Sequence, residues 1–458
     1  MAGERRSGFA FIYFMSTVSD NPWLRRYACF TALATLVLIG IGGLVTSHNA
    51  GMAVPDWPNS YGYNMFLFPV SKWVGGILYE HTHRLWASIV GVLVVGLTRW
   101  LGGRRSRLPL ALIGLAEILG GAALLRLGNE WKGAGYFLTG IGGVVLVGSA
   151  IWVRNEPAVR PLPFLGWLAF VTVQLQGLLG GLRVVLFKDE LGIFHATLAQ
   201  VFFVLLCVIA ALTTQWWGQI WVGRASPRAD SNSPGTASSR LAGTLAPPAQ
   251  WLTTALTLLI LGQLILGATM RHQHAGLSIP DFPLAYGKIW PAMNSASVEH
   301  YNQTRIEATA VNPITAAQIA LQMAHRLVAV LILAGVAFSA WLTRQNLGSK
   351  NPLSKMTLGW LVLILVQAVL GAATIWSGKA ADVATAHVLL GALSLASGTV
   401  INLVAITQWR TAAVSKTSRS VAPLLEPVTH AVLSQDSASC GWVLPARGNA
   451  TQPQSVVQ

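Results

Sequence analysis

Charge is scarce in this sequence. Asp, Glu, Lys and Arg make up only 10% of its 458 residues, whereas a soluble domain usually carries about 25%. That deficit excludes an ordinary water-soluble fold. Acids are the scarcer sign, 16 against 31 Lys and Arg, which leaves a net charge of +15. The bases form no stripe interleaved with stacking aromatics, so nucleic acid is not the partner they imply. Cysteine is nearly absent: Cys29, Cys207 and Cys440 are too few and too scattered for a disulfide framework or a thiolate metal cluster. The first two lie in apolar runs and read as small packing residues. Also missing is a leader cleavage site. Residues 8–18 are apolar and follow Arg5 and Arg6, but no small-residue site comes after them. They are expected to be an uncleaved cytoplasmic tail.

What is abundant is hydrophobic: 53% of the chain, with 45 Gly and 18 Trp. Both residues suit close-packed transmembrane helices with interfacial aromatic belts. A spanning helix needs about 20 apolar residues. Such runs occur near 27–47, 80–100, 108–126, 134–153, 164–183, 191–214, 251–270, 318–342, 357–376 and 384–408. The third and fourth are the weakest, because Glu117 sits in one and glycines interrupt both.

The connecting segments rich in Arg and Lys (Arg25/Arg26, Arg99–Arg107, Arg154/Arg160, Arg224/Arg228/Arg240, Arg344/Lys350/Lys355, Arg410/Lys416/Arg419) all fall on one side if both termini are cytoplasmic. The expectation is therefore an all-α, multi-pass protein of a bacterial cytoplasmic membrane, with the lipid bilayer as its main solvent. Its parts are a tail at 1–26, a first bundle at 27–221, a Ser/Pro/Ala/Arg-rich cytoplasmic linker at 222–249, a second bundle at 250–410, and a polar tail at 411–458 that reads as disordered.

The chain repeats itself. Ala50-Gly51-Met52-Ala53-Val54-Pro55-Asp56-Trp57-Pro58, then Tyr61-Gly62, is matched by Ala275-Gly276-Leu277-Ser278-Ile279-Pro280-Asp281-Phe282-Pro283, then Tyr286-Gly287. Glu80-His81-Thr82-His83-Arg84 answers Gln322-Met323-Ala324-His325-Arg326. Gln176-Gly177-Leu178-Leu179-Gly180 answers Gln367-Ala368-Val369-Leu370-Gly371, and His195 answers His387. Matches in this order point to a duplicated four-helix unit in parallel orientation, the first copy carrying an additional hairpin at about 105–155.

Histidine inside a spanning helix is usually functional. His83, His195, His325 and His387 each lie near the start of a run that passes from outside to inside, two per repeat and at similar depth. Two facing histidines in an apolar bundle can clamp a flat macrocycle such as haem, whose iron needs only axial imidazoles. Zinc fits less well, since no cysteine or carboxylate cluster completes a tetrahedral set. Arg84 and Arg326 each follow a ligand candidate by one residue. A guanidinium there needs an anion: a haem propionate, or Glu80 in the case of Arg84. Glu80 precedes His83 by three residues and shares its helix face, yet its counterpart is the neutral Gln322. That asymmetry suggests chemistry at one site and electron transfer at the other, although Glu80 pairing with Arg84 is the simpler alternative. His48, His272, His274, His300 and His81 read as solvated or structural, with His274 and His48 the foremost exceptions.

With Glu80-x-x-His83-Arg84, the doubled Pro-Asp-aromatic-Pro loops, Gln322-x-x-His325-Arg326 and the later paired histidines, the chain resembles the haem A synthase family over about 30–408, apart from the hairpin and linker. The resemblance implies oxidation of a methyl group of haem O to the formyl group of haem A, for terminal oxidase assembly. It implies that His83 and His195 bracket haem O, with Glu80 as the catalytic residue assisting at its edge and Arg84 at the same site; removing protons from the methyl needs an acceptor, a role Glu80 could serve. It implies that His325 and His387 are axial ligands of a haem b cofactor, with Arg326 beside a propionate. Implied partners are haem O and haem A, an electron acceptor, the haem O-making enzyme and oxidase assembly factors. The outer loops carry no cysteine, so thiol chemistry found in some members is not expected here. Two other readings remain: a di-haem b-type cytochrome that only moves electrons, and a transporter built from parallel repeats.

Overall fold

The computed structural model describes residues 21–153, 161–217, 246–305 and 313–421. The stretch at 8–18, the bases Arg154, Arg160, Arg224, Arg228 and Arg240, most of the linker, and His430 and Cys440 in the tail lie outside them. The chain divides into two compact units, residues 1–413 and 414–458. Of the second, only helical residues to Val421 are described.

The described residues are helical, with two isolated β-bridges and no strand. The helices are α1 Pro22–Ser47, α2 Gly76–Gly102, α3 Arg104–Leu127, α4 Lys132–Ala150, α5 Leu162–Leu186, α6 Asp189–Leu212, α7 Ala246–His272, α8 Ser295–Gln303, α9 Ala316–Leu347, α10 Pro352–Trp376 and α11 Ala381–Val421. All but the short α8 are long and apolar enough to cross a membrane, ten in all among the described residues. Helix is what the sequence can afford in hydrocarbon, where every backbone N–H and C=O must be satisfied within the segment. Hydroxyl side chains follow the same rule. Thr31, Thr35 and Thr98 each donate to the carbonyl four residues back, at 2.8–2.9 Å.

Local chemistry sets the helix ends. Asn21 caps α1, accepting from the Trp23 and Leu24 amides, with Pro22 as first residue. Asn351 and Pro352 repeat this arrangement at α10. Thr315 and Gln318 form a capping box at α9. α7 begins at Ala246, within the stretch expected as linker. α11 continues past 411, because Thr411–Arg419 contains no Gly or Pro to break it.

Helices α1, α2, α5 and α6 pack around one another, each against two of the others. On the other side α9 packs against α7 and α10. α11 joins them through Trp360, whose indole donates to the Ser394 carbonyl at 2.9 Å, and through Asn402, which accepts from Thr253 at 2.6 Å. The two groups meet where α1 and α6 face α7 and α11. Ile39, Phe203, Ala392 and Ala396 form a buried cluster there, and Arg271 on α7 donates to the Gly43 carbonyl and to Ser47 on α1.

The hairpin α3–α4 lies against α2. Its glycines, which the sequence presents as interruptions, are its seam. Gly114 and Gly121 on α3 face Gly142 and Gly135 on α4, at seven-residue spacing. A Cβ on Gly142 would sit 2.6 Å from the Gly114 carbonyl oxygen, and one on Gly121 would sit 2.7 Å from that of Gly135. Small residues at such a seam let backbones approach where no hydrophobic driving force exists between helices. Gly142→Leu is therefore expected to force the hairpin apart, costing about 1–3 kcal/mol or more. Gly140→Ala, whose Cβ meets nothing within 4 Å, should be neutral or slightly stabilising. Thermal unfolding in detergent of the two variants beside the parent protein checks this.

Candidate functional site

At one end of the bundles lie two long connections, 48–75 and 273–315, built alike. In the first, the Asp56 carboxylate accepts the Tyr61 and Gly62 amides, both at 2.7 Å. In the second, Asp281 accepts those of Tyr286 and Gly287 at 2.7 and 2.8 Å. Gly62 and Gly287 have φ of 77° and 73°, a conformation that favours glycine. Tyr61 and Tyr286 reach back to the carbonyls of Ala53 and Ser278. Trp57–Pro58 and Phe282–Pro283 are both cis. The repeated Pro-Asp-aromatic-Pro…Tyr-Gly motif is thus a self-bonded loop. Tyr286 stacks on Tyr301 of α8 at 3.6 Å. Burial, and secondly that neighbour, push its phenol up to about 12, so it remains a hydrogen donor at neutral pH.

Each loop is fastened to the helix carrying the first histidine of its half. Glu80 on α2 accepts the Val54 amide at 2.8 Å, and Gln322 on α9 accepts that of Ile279 at 2.7 Å. Arg84 donates to the carbonyls of Asp56, Asn59 and Val54 at 2.7–2.9 Å and to Glu80 at 2.6 Å. Arg326 donates to those of Leu284 and Asp281 at 2.9 and 2.7 Å. The anion expected beside Arg84 is therefore Glu80 itself, and the remaining terminal donors of Arg84 go to backbone oxygens rather than to a ligand. The Gln322 amide makes up part of the difference, donating to the Gly276 and Ile279 carbonyls at 3.2 and 3.3 Å.

Below the loops a cavity of about 1890 Å³ runs through both groups of helices. His83, His195, His325 and His387 all line it, as do Glu80, Arg84, Gln322 and Arg326. Ligand pockets usually measure ~300–1,000 Å³, so the space suffices for two large ligands. The His83 and His195 ring centres are 6.5 Å apart, with their planes at 78°. Two imidazoles on opposite faces of one metal, each bound through nitrogen at about 2 Å, have centres roughly 6–7 Å apart.

Every one of the four rings has a glycine opposite it on a neighbouring helix. A Cβ there would lie 3.0 Å from His83 Cε1 at Gly42, 3.3 Å from His195 Cε1 at Gly180, 3.4 Å from His325 Cε1 at Gly267, and 3.1 Å from His387 Cε1 at Gly371. His387 Nδ1 is 3.1 Å from the Gln367 carbonyl oxygen. A carbonyl only accepts, so Nδ1 carries the hydrogen and Nε2 keeps its lone pair, the form a metal binds. Gln176, Gln263 and Gln367 hold the backbone carbonyls of His195, His325 and His387 at 3.1, 2.9 and 2.9 Å. The Nδ1 atoms of His83, His195 and His325 are buried without a hydrogen-bond partner among the described residues. The spacing of His83 and His195 fits bis-imidazole ligation of a haem iron, and His325 and His387 share its supports, each with a facing glycine and a glutamine on its carbonyl.

Some site residues were not singled out by sequence. Arg183, Arg271, His272 and Lys379 line the cavity near its loop-bearing end. They stand at or beyond the ends of apolar runs, where a base usually reads as an interfacial anchor. His272, expected to be solvated or structural, is buried. His81 is fully buried, 3.1 Å from Ser60 through Nδ1 and packed edge-on to Trp73. His48 is exposed and stacked on Tyr79 at 4.1 Å, and His274 is exposed. Among the described residues no cluster of three or more His, Cys, Asp or Glu is arranged to hold a metal ion.

Helices, cavity and paired histidines define a multi-pass membrane protein with four imidazoles facing a large, mostly apolar cavity. Residues 136–399, more than half of the chain, match the model of the COX15-CtaA family, described as cytochrome oxidase assembly protein. The chain belongs to that family. The matched segment includes His195, His325 and His387, and begins after Glu80, His83 and Arg84. No curated protein matches the chain.

The clamp makes a direct prediction. Arg84→Ala leaves the Glu80 carboxylate and three loop carbonyls without their partner, a loss of about 3–5 kcal/mol for a buried pair. Limited proteolysis should then cut the 48–75 connection much faster than in the parent protein, while cleavage within 273–305 is unchanged.

Proposed function

We propose that this protein is a haem A synthase, converting a methyl group of haem O to the formyl group of haem A for cytochrome oxidase assembly. The observation that carries the reading is the pair of ring centres 6.5 Å apart, His83 and His195, facing the cavity in a chain of this family. In this reading His83 and His195 hold haem O in the first bundle, and His325 and His387 hold haem b in the second. Haem b, when bound, supplies a redox centre that accepts and passes on electrons. Arg183, Arg271 and Lys379, at the loop-bearing end of the cavity, are suitable cationic partners for propionates, while Arg84, with its terminal donors committed to Glu80 and the loop, acts on that site by holding the loop. Gly42, Gly180, Gly267 and Gly371 keep the imidazoles upright. Glu80 lines the cavity next to His83, and is the carboxylate placed to receive protons released as the methyl is oxidised.

The di-haem cytochrome reading keeps one specific support. Glu80 and Gln322 perform the same service for their loops, so the difference between them does not by itself require chemistry at the first site.

Two measurements test this. Haems extracted from protein expressed with a haem O supply are separated by chromatography and identified as pyridine haemochromes. Haem A together with haem b is the expected result, and haem b with unconverted haem O would leave the electron-transfer reading. Glu80→Gln, which copies the residue of the second half, should retain both haems and lose haem A formation by roughly 10²-fold or more. Normal haem A formation would reduce Glu80 to a loop clamp.

A further inference from the structure

The first half has a feature the second lacks. α9 ends at Leu347 and α10 begins at Pro352, but the corresponding α2 and α5 are separated by the α3–α4 hairpin. α4 contributes Phe137, Thr139, Ile141, Val144 and Val145 to the cavity wall. The hairpin is fixed there by contact as well as by sequence. Phe137 lies 4.4 Å from the Trp57 ring of the first loop, and Val145 joins Val95, Leu110 and Phe170 in a buried cluster.

Within this apolar wall stands one polar pair. Gln174 on α5 lines the cavity, and its amide donates to Glu117 on α3 at 2.7 Å. The second oxygen of Glu117 is buried with no hydrogen-bond partner. By the alignment of Gln176 with Gln367, the residue corresponding to Gln174 is Leu365, which is 46% exposed and does not line the cavity. The hairpin has therefore walled a face that is open in the other half, and placed an oriented amide on it. Polar side chains in hydrocarbon are costly and are retained where they have a task. Gluing helices together is one such task, but it does not require that Gln174 also line the cavity.

We propose that the space between α4 and α5 is a subsite for an apolar chain carried by the ligand of the first bundle, and that Gln174, held by Glu117, hydrogen-bonds a hydroxyl on that chain. This rests on the haem O reading and adds to it a basis for discrimination. Haem O differs from haem b in bearing a long isoprenoid chain with a hydroxyl. The subsite admits that chain in the first bundle, and the second bundle has no such walled space.

The test loads purified full-length protein with haem O or with haem b and measures retained haem as pyridine haemochrome after gel filtration. The amount lost in His83→Ala defines the first-bundle share. Val144→Phe, which fills the subsite, should lower first-bundle retention of haem O by roughly tenfold and leave haem b unchanged. Gln174→Leu, which tests the hydroxyl contact without adding bulk, should lower haem O retention several-fold, again without effect on haem b. Unchanged haem O retention in both variants, or equal loss of both haems, would overturn the subsite while leaving the haem O reading intact. A parent protein that retains no haem O in the first bundle would overturn that reading, and the subsite with it.

Discussion

An imidazole in the interior of a membrane bundle holds its orientation only if the surrounding helices leave it no alternative, and that constraint organises this structure. Each of the four histidines stands against a glycine across the helix interface, with ordinary or slightly tight contact distance for a missing Cβ. The neighbouring backbone thus forms one wall of each ring's slot. Three glutamines grip the carbonyls of the histidine-bearing turns, so neither the ring nor the helix segment beneath it can rotate freely. On the proposed reading, a metal held by only two side chains would depend on such support, because two ligands by themselves supply little rigidity.

The loops complete the same task from above. Each is bonded to itself through an aspartate and a tyrosine, and then to the helix that carries the first histidine of its half. The fastening residues are placed three before and one after that histidine. The ligand candidate therefore sits inside a stretch of helix whose two flanking polar residues are both committed to the loop. Any movement of the loop would be transmitted to the ring. Glu80 and Arg84 satisfy each other's charge as they do this. A buried ion pair contributes little net stability by itself, and breaking one is costly. Its value here is geometric.

Much of this was legible in the sequence. Length and hydropathy of the apolar runs give the ten helices, because hydrocarbon admits little else, and the internal matches identify the four histidines and the glycines Gly180 and Gly371. What could not be read was where side chains end. Arg84 pairs with Glu80, as the i, i+4 spacing allows, but the rest of its guanidinium and that of Arg326 turn to loop carbonyls that lie 25 to 45 residues away in sequence. The glycines of α3 and α4 look like interruptions, because a helix seam between Gly114 and Gly142 exists only once the two helices are packed. His272 lies just past an apolar run and reads as solvated or structural, and it turns inward against Gly192.

The two halves share their clamps but not their walls. The cavity reaches from one pair of histidines to the other, and between the bundles Arg271 ties α7 to α1 through Gly43 and Ser47. A cation held at that junction by a backbone carbonyl and a hydroxyl keeps hydrogen-bonding partners without a neutralising carboxylate among those contacts, which leaves its charge to act on whatever lies in the cavity. The same apolar surroundings strengthen that action, because a low-dielectric lining screens charge weakly. On the proposed reading, the junction would favour ligands that bring their own anionic groups toward the loop-bearing end. The hairpin would then distinguish the first ligand from the second by its apolar substituent. On that reading, charge at the shared end and shape at the separate wall would be independent requirements, and together they would let two similar halves hold two related macrocycles without confusing them.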